Sequence, residues 1–98
     1  MSRNDLVFVA VAYDVTDDRR RRHVYKALKN FGRPVQYSAF ECVLDSEQLS
    51  RLRQILSRLL QGEEEEAVAY YLLCQDCVER TLVLCGPPRL TLSKVVVV

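Results

Sequence analysis

LVFVAVAY, residues Leu6–Tyr13, is a continuous apolar run, and after Asp14 and Val15 it gives way to the polar segment TDDRRRRH, Thr16–His23. The length of the run and its Val and Phe content predict a strand buried on both faces. Thr16 can accept a backbone hydrogen bond, and the two following acids favour the positive end of a helix dipole. The stretch therefore predicts a buried strand that leads directly into a helix.

The predicted helix has one apolar face, formed at helical spacing by Val24, Ala27, Leu28 and Phe31. Gly32 predicts its end, and Pro34 prevents its continuation. Val35–Leu44 is strand-like again. One bent strand and two strands with a tight break near Ser38 and Ala39 both fit this segment, because no turn dipeptide marks a hairpin.

A second helix is predicted to start at Asp45 or Ser46, with Gln48 placed for a capping box. Its buried stripe comprises Leu49, Leu52, Ile55, Leu56, Leu59 and Leu60. Gln61 to Glu66 is predicted to be an exposed loop. Ala67–Cys74 and Thr81–Cys85 are predicted strands, and an apolar tail occupies residues 89–98.

This order predicts one α+β domain over residues 1–98, a ferredoxin-like βαββαβ sandwich with both helices on one face of an antiparallel sheet. Each helix has a single apolar face, so both are expected on the same side. The other sheet face then needs a partner, and a homodimer is the natural solution in so short a chain.

The composition is that of a globular protein, with 49% apolar and 28% charged residues. No run of eighteen apolar residues predicts a membrane span, and the polar N-terminus does not resemble a secretory signal, so we expect a cytoplasmic protein. The net charge is only +1, but Arg19–Arg22 and Glu63–Glu66 form opposite blocks. Such a total can conceal one positive face.

Four cysteines are present, and the absence of an export signal predicts reduced thiols. Cys74 and Cys77 have CxxC spacing, but a structural zinc site needs four ligands, and Cys42, Cys85 or His23 would have to supply the others. Cysteine in an apolar strand is more often a small buried hydrophobe. We therefore favour no zinc site.

Asp14 ends the first predicted strand just before the helix start, so its carboxylate is expected to reach solvent. One interpretation is a hard-metal ligand, because Mg²⁺ accepts one or two carboxylates and keeps several waters. A nearby dimer axis would bring two Asp14 side chains to one ion. The other interpretation is a turn-forming aspartate that bonds its own backbone.

Other candidates also have two interpretations. The block Arg19, Arg20, Arg21 and Arg22 surrounds most of a helix, so at most two side chains can face one phosphate, and a solvated face is the alternative. His23, the only histidine, is either an acid–base group or an exposed helix residue. Phe40 either stacks on a base or packs in the core. No phosphate-binding Gly-rich loop or paired nucleophile is visible, which leaves metal-assisted hydrolysis for an enzyme.

YDVTDDRRRRHVYKALKNFG, Tyr13–Gly32, followed by VQYSAFEC, Val35–Cys42, strongly resembles the Cas2 family, the smaller of the two core CRISPR adaptation proteins. The resemblance implies a ferredoxin-like homodimer whose C-terminal strands pair with the partner subunit. It also implies that two Asp14 carboxylates bind Mg²⁺ or Mn²⁺. The residues that correspond to those implicated in cleavage are Tyr13, Asp14, Arg21 and Phe40, with Arg33 as a further basic contact.

The activities that the resemblance implies are metal-dependent cleavage of single-stranded RNA or double-stranded DNA, and a place as the central dimer of an integrase complex with the larger adaptation protein. A non-catalytic DNA-binding scaffold is the second hypothesis, and a toxin-like ribonuclease of the VapD type is the third. His23 occupies a position where some relatives have Arg, which puts that phosphate contact in question.

Overall fold

The computed structural model describes residues 6–36, 38–61 and 67–82, which contain four strands and three helices. The elements are β1 (Val7–Asp14), α1 (Asp18–Lys29), β2 (Gly32–Gln36), β3 (Ala39–Leu44), α2 (Ser46–Leu59), β4 (Ala67–Leu73) and α3 (Gln75–Glu79). The strands form an antiparallel sheet of order β2-β3-β1-β4. This confirms the predicted α+β, ferredoxin-like architecture.

Both long helices cover one face of the sheet. The main core joins Val24 and Leu28 of α1 with Leu52 and Leu56 of α2, and the strand residues packed among them are Val9, Val11, Tyr13, Phe40, Cys42 and Leu44. Since Val9 lies opposite Cys42 and Val11 opposite Phe40, these strand residues share a face. The predicted apolar faces of both helices are confirmed.

Local signals in the sequence explain where the long helices begin. Asp17, rather than the predicted Thr16, is the N-cap of α1, and its carboxylate accepts a hydrogen bond of 2.9 Å from the Arg20 backbone N–H. Both residue types can cap a helix, so composition alone did not separate them. Asp45 and Gln48 form the predicted capping box of α2, with reciprocal hydrogen bonds of 2.8 and 2.9 Å.

The segment after α1 is two strands, which settles the alternative left open by the sequence. β2 begins at Gly32, and its pairing with β3 shifts between Pro34 and Gln36. Gly32 lies so close to β3 that an added Cβ would overlap the Glu41 carbonyl oxygen and lie 2.5 Å from Cys42 Sγ. Glycine therefore permits close strand contact here, whereas α1 ends earlier than Gly32 predicted, at Lys29 with Asn30 as its C-cap.

The C-terminal part differs from the prediction. β4 is present, but it is followed by α3, which the sequence analysis did not assign. The predicted strand over Thr81–Cys85 is not seen at Thr81 or Leu82, which follow α3 without regular structure. The rest of that segment, Glu63–Glu66 and the tail over residues 89–98 lie outside the described residues. In the described ranges no helix is long and apolar enough to cross a membrane.

The sheet face away from α1 and α2 carries several alanines beside larger side chains, among them Glu41 and Tyr71, which both lie opposite Ala10. Strand alternation places Ala10, Ala12, Ala39, Ala67 and Ala69 there, together with Asp14, and we call this surface the open face. α3 contacts β1 and β4, and Phe8 and Val78 are buried apart from the main core. The described part of the open face is therefore covered at the Phe8 end, while Asp14 stands at the opposite end of β1.

Candidate active site

Asp14 is the last residue of β1, where it lies opposite Ala67 of β4. Tyr13 before it points into the core and is 5% exposed, whereas Asp14 is exposed. This alternation follows from strand geometry, because successive side chains point to opposite faces. The Asp14 carboxylate is therefore held at the edge of the open face, as the sequence predicted.

The donor chemistry at Asp14 fits a hard divalent cation. Carboxylate oxygens suit Mg²⁺ and Mn²⁺, and Mg²⁺ is bound through one or two of them while it keeps water ligands. Among the residues the structure describes, no group of three His, Cys, Asp or Glu side chains is placed to hold a metal ion. The described residues of one chain thus offer this carboxylate at the strand end, and a second copy is one source of another ligand of the same kind.

Arg21 is anchored beside the strand end that carries Asp14. Its Nη1 lies 3.4 Å from the carbonyl oxygen of Val15, the residue after Asp14, and its Nη2 bonds the Asp18 carboxylate one turn earlier. The Arg21 side chain remains 39% exposed. The structure therefore brings a partly accessible guanidinium group to the junction between β1 and α1.

The other basic residues of α1 separate into two faces. Arg20 is half-buried, whereas Arg19, Arg22 and His23 are exposed. Residues three and four apart on a helix are neighbours, so the exposed cations share one surface. Lys26 is also exposed and extends this surface by one turn. We call Arg19, Arg22, His23 and Lys26 the basic stripe.

Lys26 was not singled out from the sequence, although its spacing from Arg19 and Arg22 carried the signal. At most two of the four successive arginines were expected to face one ligand, and in the structure the arginines point in different directions. Arg19 and Arg22 lie on the exposed surface, and Arg21 turns toward the strand end.

Tyr13 and Phe40 are buried rings rather than surface rings. Phe40 is 1% exposed, and its centroid lies 6.3 Å from Tyr13 and 5.3 Å from Tyr25, the latter in an edge-on arrangement. The Tyr13 backbone N–H donates to the Ser38 carbonyl oxygen at 3.0 Å. In the described chain neither ring has an open face for a base, and only Tyr13, the residue before Asp14, lies on the strand that carries the site.

Arg33 lies on the open face but apart from Asp14. It is opposite Glu41, which is opposite Ala10, and Arg33 Nη2 is 3.8 Å from Glu41 Oε1. Ala10 precedes Asp14 by four residues, which corresponds to about 13 Å along a strand. Glu41 is only 8% exposed, so much of the Arg33 charge is directed to a buried carboxylate. Glu41 was not predicted as a site residue, although it belongs to the stretch VQYSAFEC that carries the family resemblance.

The cysteines form a pair and a separate core residue. Cys74 and Cys77 are exposed, with sulfurs 3.4 Å apart, whereas Cys42 is buried. Burial, followed by the neighbouring Glu41 charge, raises the pKa of Cys42 to about 11. The described residues offer Cys74 and Cys77 no third zinc ligand. Cys85 lies outside them.

The sequence of the described sheet and helices matches the family model for CRISPR associated protein Cas2 over residues 7–81. The chain belongs to the Cas2 family. The match extends from the first residue of β1 to just beyond α3, and therefore includes every element described above.

Individual Cas2 proteins support this assignment. The chain is 34% identical over 93 residues to the CRISPR-associated endoribonuclease Cas2 1 of Chloroflexus aurantiacus, covering 94% of this chain and 100% of that protein. Its structure resembles Streptococcus pyogenes Cas2 crystallised at pH 6.5, with a TM-score of 0.69, 28% identity, and coverage of 80% and 99% of the two chains. The family resemblance drawn from Tyr13–Cys42 is thereby confirmed.

The same fold occurs in a chain from a partial Cas6-RT-Cas1–Cas2 complex. The TM-score is 0.62, the identity is 23%, and the match covers 80% of this chain and 90% of that one. At this identity the likeness concerns the fold. Among the functions considered from the sequence, the family assignment favours a Cas2 role over that of a VapD-type ribonuclease.

Proposed function

We propose that this Cas2-family chain is a cytoplasmic Mg²⁺- or Mn²⁺-dependent endonuclease that cleaves phosphodiester bonds of single-stranded RNA or double-stranded DNA, and that its homodimer forms the centre of a CRISPR adaptation complex. The observation that carries the proposal is the exposed Asp14 carboxylate at the end of β1, next to the strand end to which Arg21 is anchored. The endoribonuclease name of the Chloroflexus relative supports the hydrolytic activity.

The open face supports the dimer. It carries several alanines together with Tyr71, a large side chain that is 57% exposed, and exposed apolar surface of this kind favours association with a second copy. A twofold axis near the Asp14 end would bring two carboxylates to one cation, with an Arg21 guanidinium group on either side. Each protomer would then supply half of the site.

The residues of this chain and the cation would have separate roles in the cleavage of a phosphodiester bond. A divalent cation, when bound, supplies positive charge that stabilises the charge developing on a phosphate oxygen. Asp14 would hold that cation, and Arg21 would steady the phosphate by charge-assisted hydrogen bonds. We assign Tyr13 and Phe40 as positioning residues, because their packed rings fix the strand end from the core side.

Asp14→Asn tests the nuclease, because it keeps the shape of the side chain and removes the charge. We expect highly purified Asp14→Asn protein to lose Mn²⁺-dependent cleavage of single-stranded RNA and of duplex DNA while it keeps its oligomeric state in light scattering. Asp76→Asn, which changes an exposed acid on α3, is the matched control and should cleave normally. Cleavage by Asp14→Asn at the wild-type rate would remove Asp14 from the mechanism.

A second function, a DNA-binding scaffold for the integrase, is favoured by the basic stripe on α1. Four exposed cationic or protonatable side chains on one surface can follow a phosphate backbone without reading sequence. Arg19, Arg22 and Lys26 carry the positive charge of this surface. The occurrence of the fold in a complex that contains Cas1 and Cas2 supports this role.

The scaffold is tested by duplex binding at several salt concentrations. We expect the Arg19→Ala, Arg22→Ala double variant to bind more weakly, with the slope of log affinity against log salt reduced by about 2. Arg51→Ala with Arg58→Ala, two exposed arginines on α2, is the control of equal charge change. Equal weakening by both variants would argue against a specific role for α1, and failure of the wild type to bind the integrase of the same locus would remove the adaptation role.

A further inference from the structure

The turn between β4 and α3 carries two exposed thiols that neither proposed activity uses. Cys74 directly follows Leu73, the last residue of β4, and is the N-cap residue of α3, while Cys77 lies within that helix. Both are exposed, and their sulfur atoms are 3.4 Å apart. We propose that Cys74 and Cys77 are a reversible redox modification site, which closes to an intramolecular disulfide when it meets a low-molecular-weight disulfide such as oxidised glutathione.

The geometry favours ring closure over reaction with a distant thiol. A disulfide bond measures about 2.05 Å, so the sulfurs need to approach by only about 1.4 Å, which small side-chain rotations can provide. The residues between them, Gln75 and Asp76, form the first turn of α3, so the ring would be small. Cys42 is a poor competitor, because it is fully buried in the core.

The two thiols have different reactivity. The neighbouring backbone N–H of Cys77, followed by its thiol, lowers the pKa of Cys74, whereas the interaction with Cys74 raises the pKa of Cys77. The thiolate is the nucleophile in thiol–disulfide exchange. Cys74 is therefore the first to react, and Cys77 resolves the mixed disulfide.

The exchange has two balanced steps. The Cys74 thiolate attacks one sulfur of the small disulfide, forming a mixed disulfide and releasing one thiolate. The Cys77 sulfur then attacks Cys74 Sγ, forming the intramolecular bond and releasing the second thiolate. Two protein S–H bonds are lost, their two protons pass to the released thiolates, and the small disulfide takes up the two electrons and becomes two thiols.

Closure would fasten α3 to the end of β4. α3 contacts both β1 and β4, and its Val78 is 7% exposed while neighbouring residues of the helix are exposed. The helix has five residues, and the Thr81 hydroxyl adds a hydrogen bond of 3.0 Å to the Cys77 carbonyl oxygen. Because a helix of this length is only weakly stable by itself, a covalent link at its first turn should slow its opening.

The test uses the full chain, equilibrated in mixtures of reduced and oxidised glutathione, quenched with an alkylating reagent and mapped by mass spectrometry. We expect the peptide that contains Cys74 and Cys77 to lose two hydrogens and to regain them on treatment with excess dithiothreitol. Hydrogen exchange over residues 74–80 should slow severalfold in the oxidised protein. Persistent free thiols, a lasting glutathione adduct, or a disulfide from either residue to Cys85 would overturn the proposal.

The order of attack is tested with two single variants. In Cys77→Ser, Cys74 should react with iodoacetamide at pH 7 severalfold faster than Cys77 does in Cys74→Ser, because residue 77 keeps the backbone N–H that lowers the pKa of Cys74. Both substitutions are at exposed positions, so both variants should fold. Equal or reversed rates would overturn the assignment of Cys74 as the attacking thiol.

Discussion

The Phe40→Leu substitution distinguishes a ring that packs in the core from a ring that stacks on nucleic acid. Phe40 is 1% exposed and makes ring contacts with Tyr25 and Tyr13 at centroid distances of 5.3 and 6.3 Å. Each aromatic pair contributes about 0.5–1.5 kcal/mol beyond area burial, and a core swap of similar volume usually costs less than about 1.5 kcal/mol. We therefore expect the free energy of unfolding to fall by about 1.5–3 kcal/mol.

Urea unfolding at a fixed protomer concentration measures this loss, since a dimer would make the apparent stability depend on concentration. For a domain of this size, the loss corresponds to a decrease in Tm of about 6–24 °C. Ser50→Ala, an exposed change on α2, is the control and should stay within about 0.5 kcal/mol of the wild type. A double-mutant cycle with Tyr25→Leu should give a coupling of about 0.5–1.5 kcal/mol.

The outcome that would refute this reasoning is specific. If Phe40→Leu keeps wild-type stability but binds single-stranded RNA severalfold more weakly, the ring must leave the core and stack on a base. Loss of stability with binding restored at low temperature, where the variant is folded, is the result that core packing predicts.

Three further predictions concern the stability of the fold. Gly32→Ala should lower the free energy of unfolding by about 2 kcal/mol or more, because the new Cβ meets the β3 backbone, and stabilisation in thermal melts would contradict that close contact. The wild type should lose up to about 3 kcal/mol between pH 9 and 11, because the Cys42 thiol ionises near 9.0 when unfolded but near 11 when folded. Cys42→Ala should lack that part of the alkaline decline in urea titrations, and an identical decline would refute its origin in Cys42. Asp45→Ala should cost about 1 kcal/mol in urea unfolding through loss of the capping box, whereas no loss relative to Asp76→Ala would show that the cap contributes nothing.

Much of the fold could be predicted because local signals and apolar periodicity agree over β1, α1 and α2. Leu28 and Leu56 are buried where helical spacing places them, and Asp45 caps where a capping-box pattern predicts. α3 was missed because five residues are too few for periodicity to distinguish a helix from a turn.

Only part of the site could be predicted from the sequence, for a related reason. Asp14 could be located because a strand end is visible in the sequence. The burial of Phe40 and the opposition of Arg33 to Glu41 depend on strand register, which joins residues distant in sequence. The different roles of Arg21 and Arg22 likewise depend on how α1 is rotated against the sheet.

The central claim is that two copies of this chain hold one divalent cation through their Asp14 carboxylates. Mn²⁺ binding, followed by electron paramagnetic resonance at a known protomer concentration, measures this without relying on cleavage. We predict one Mn²⁺ for every two chains in the wild type and none at this site in Asp14→Asn, which should still dimerise. One ion per chain, or unchanged Mn²⁺ binding by Asp14→Asn, would contradict the claim.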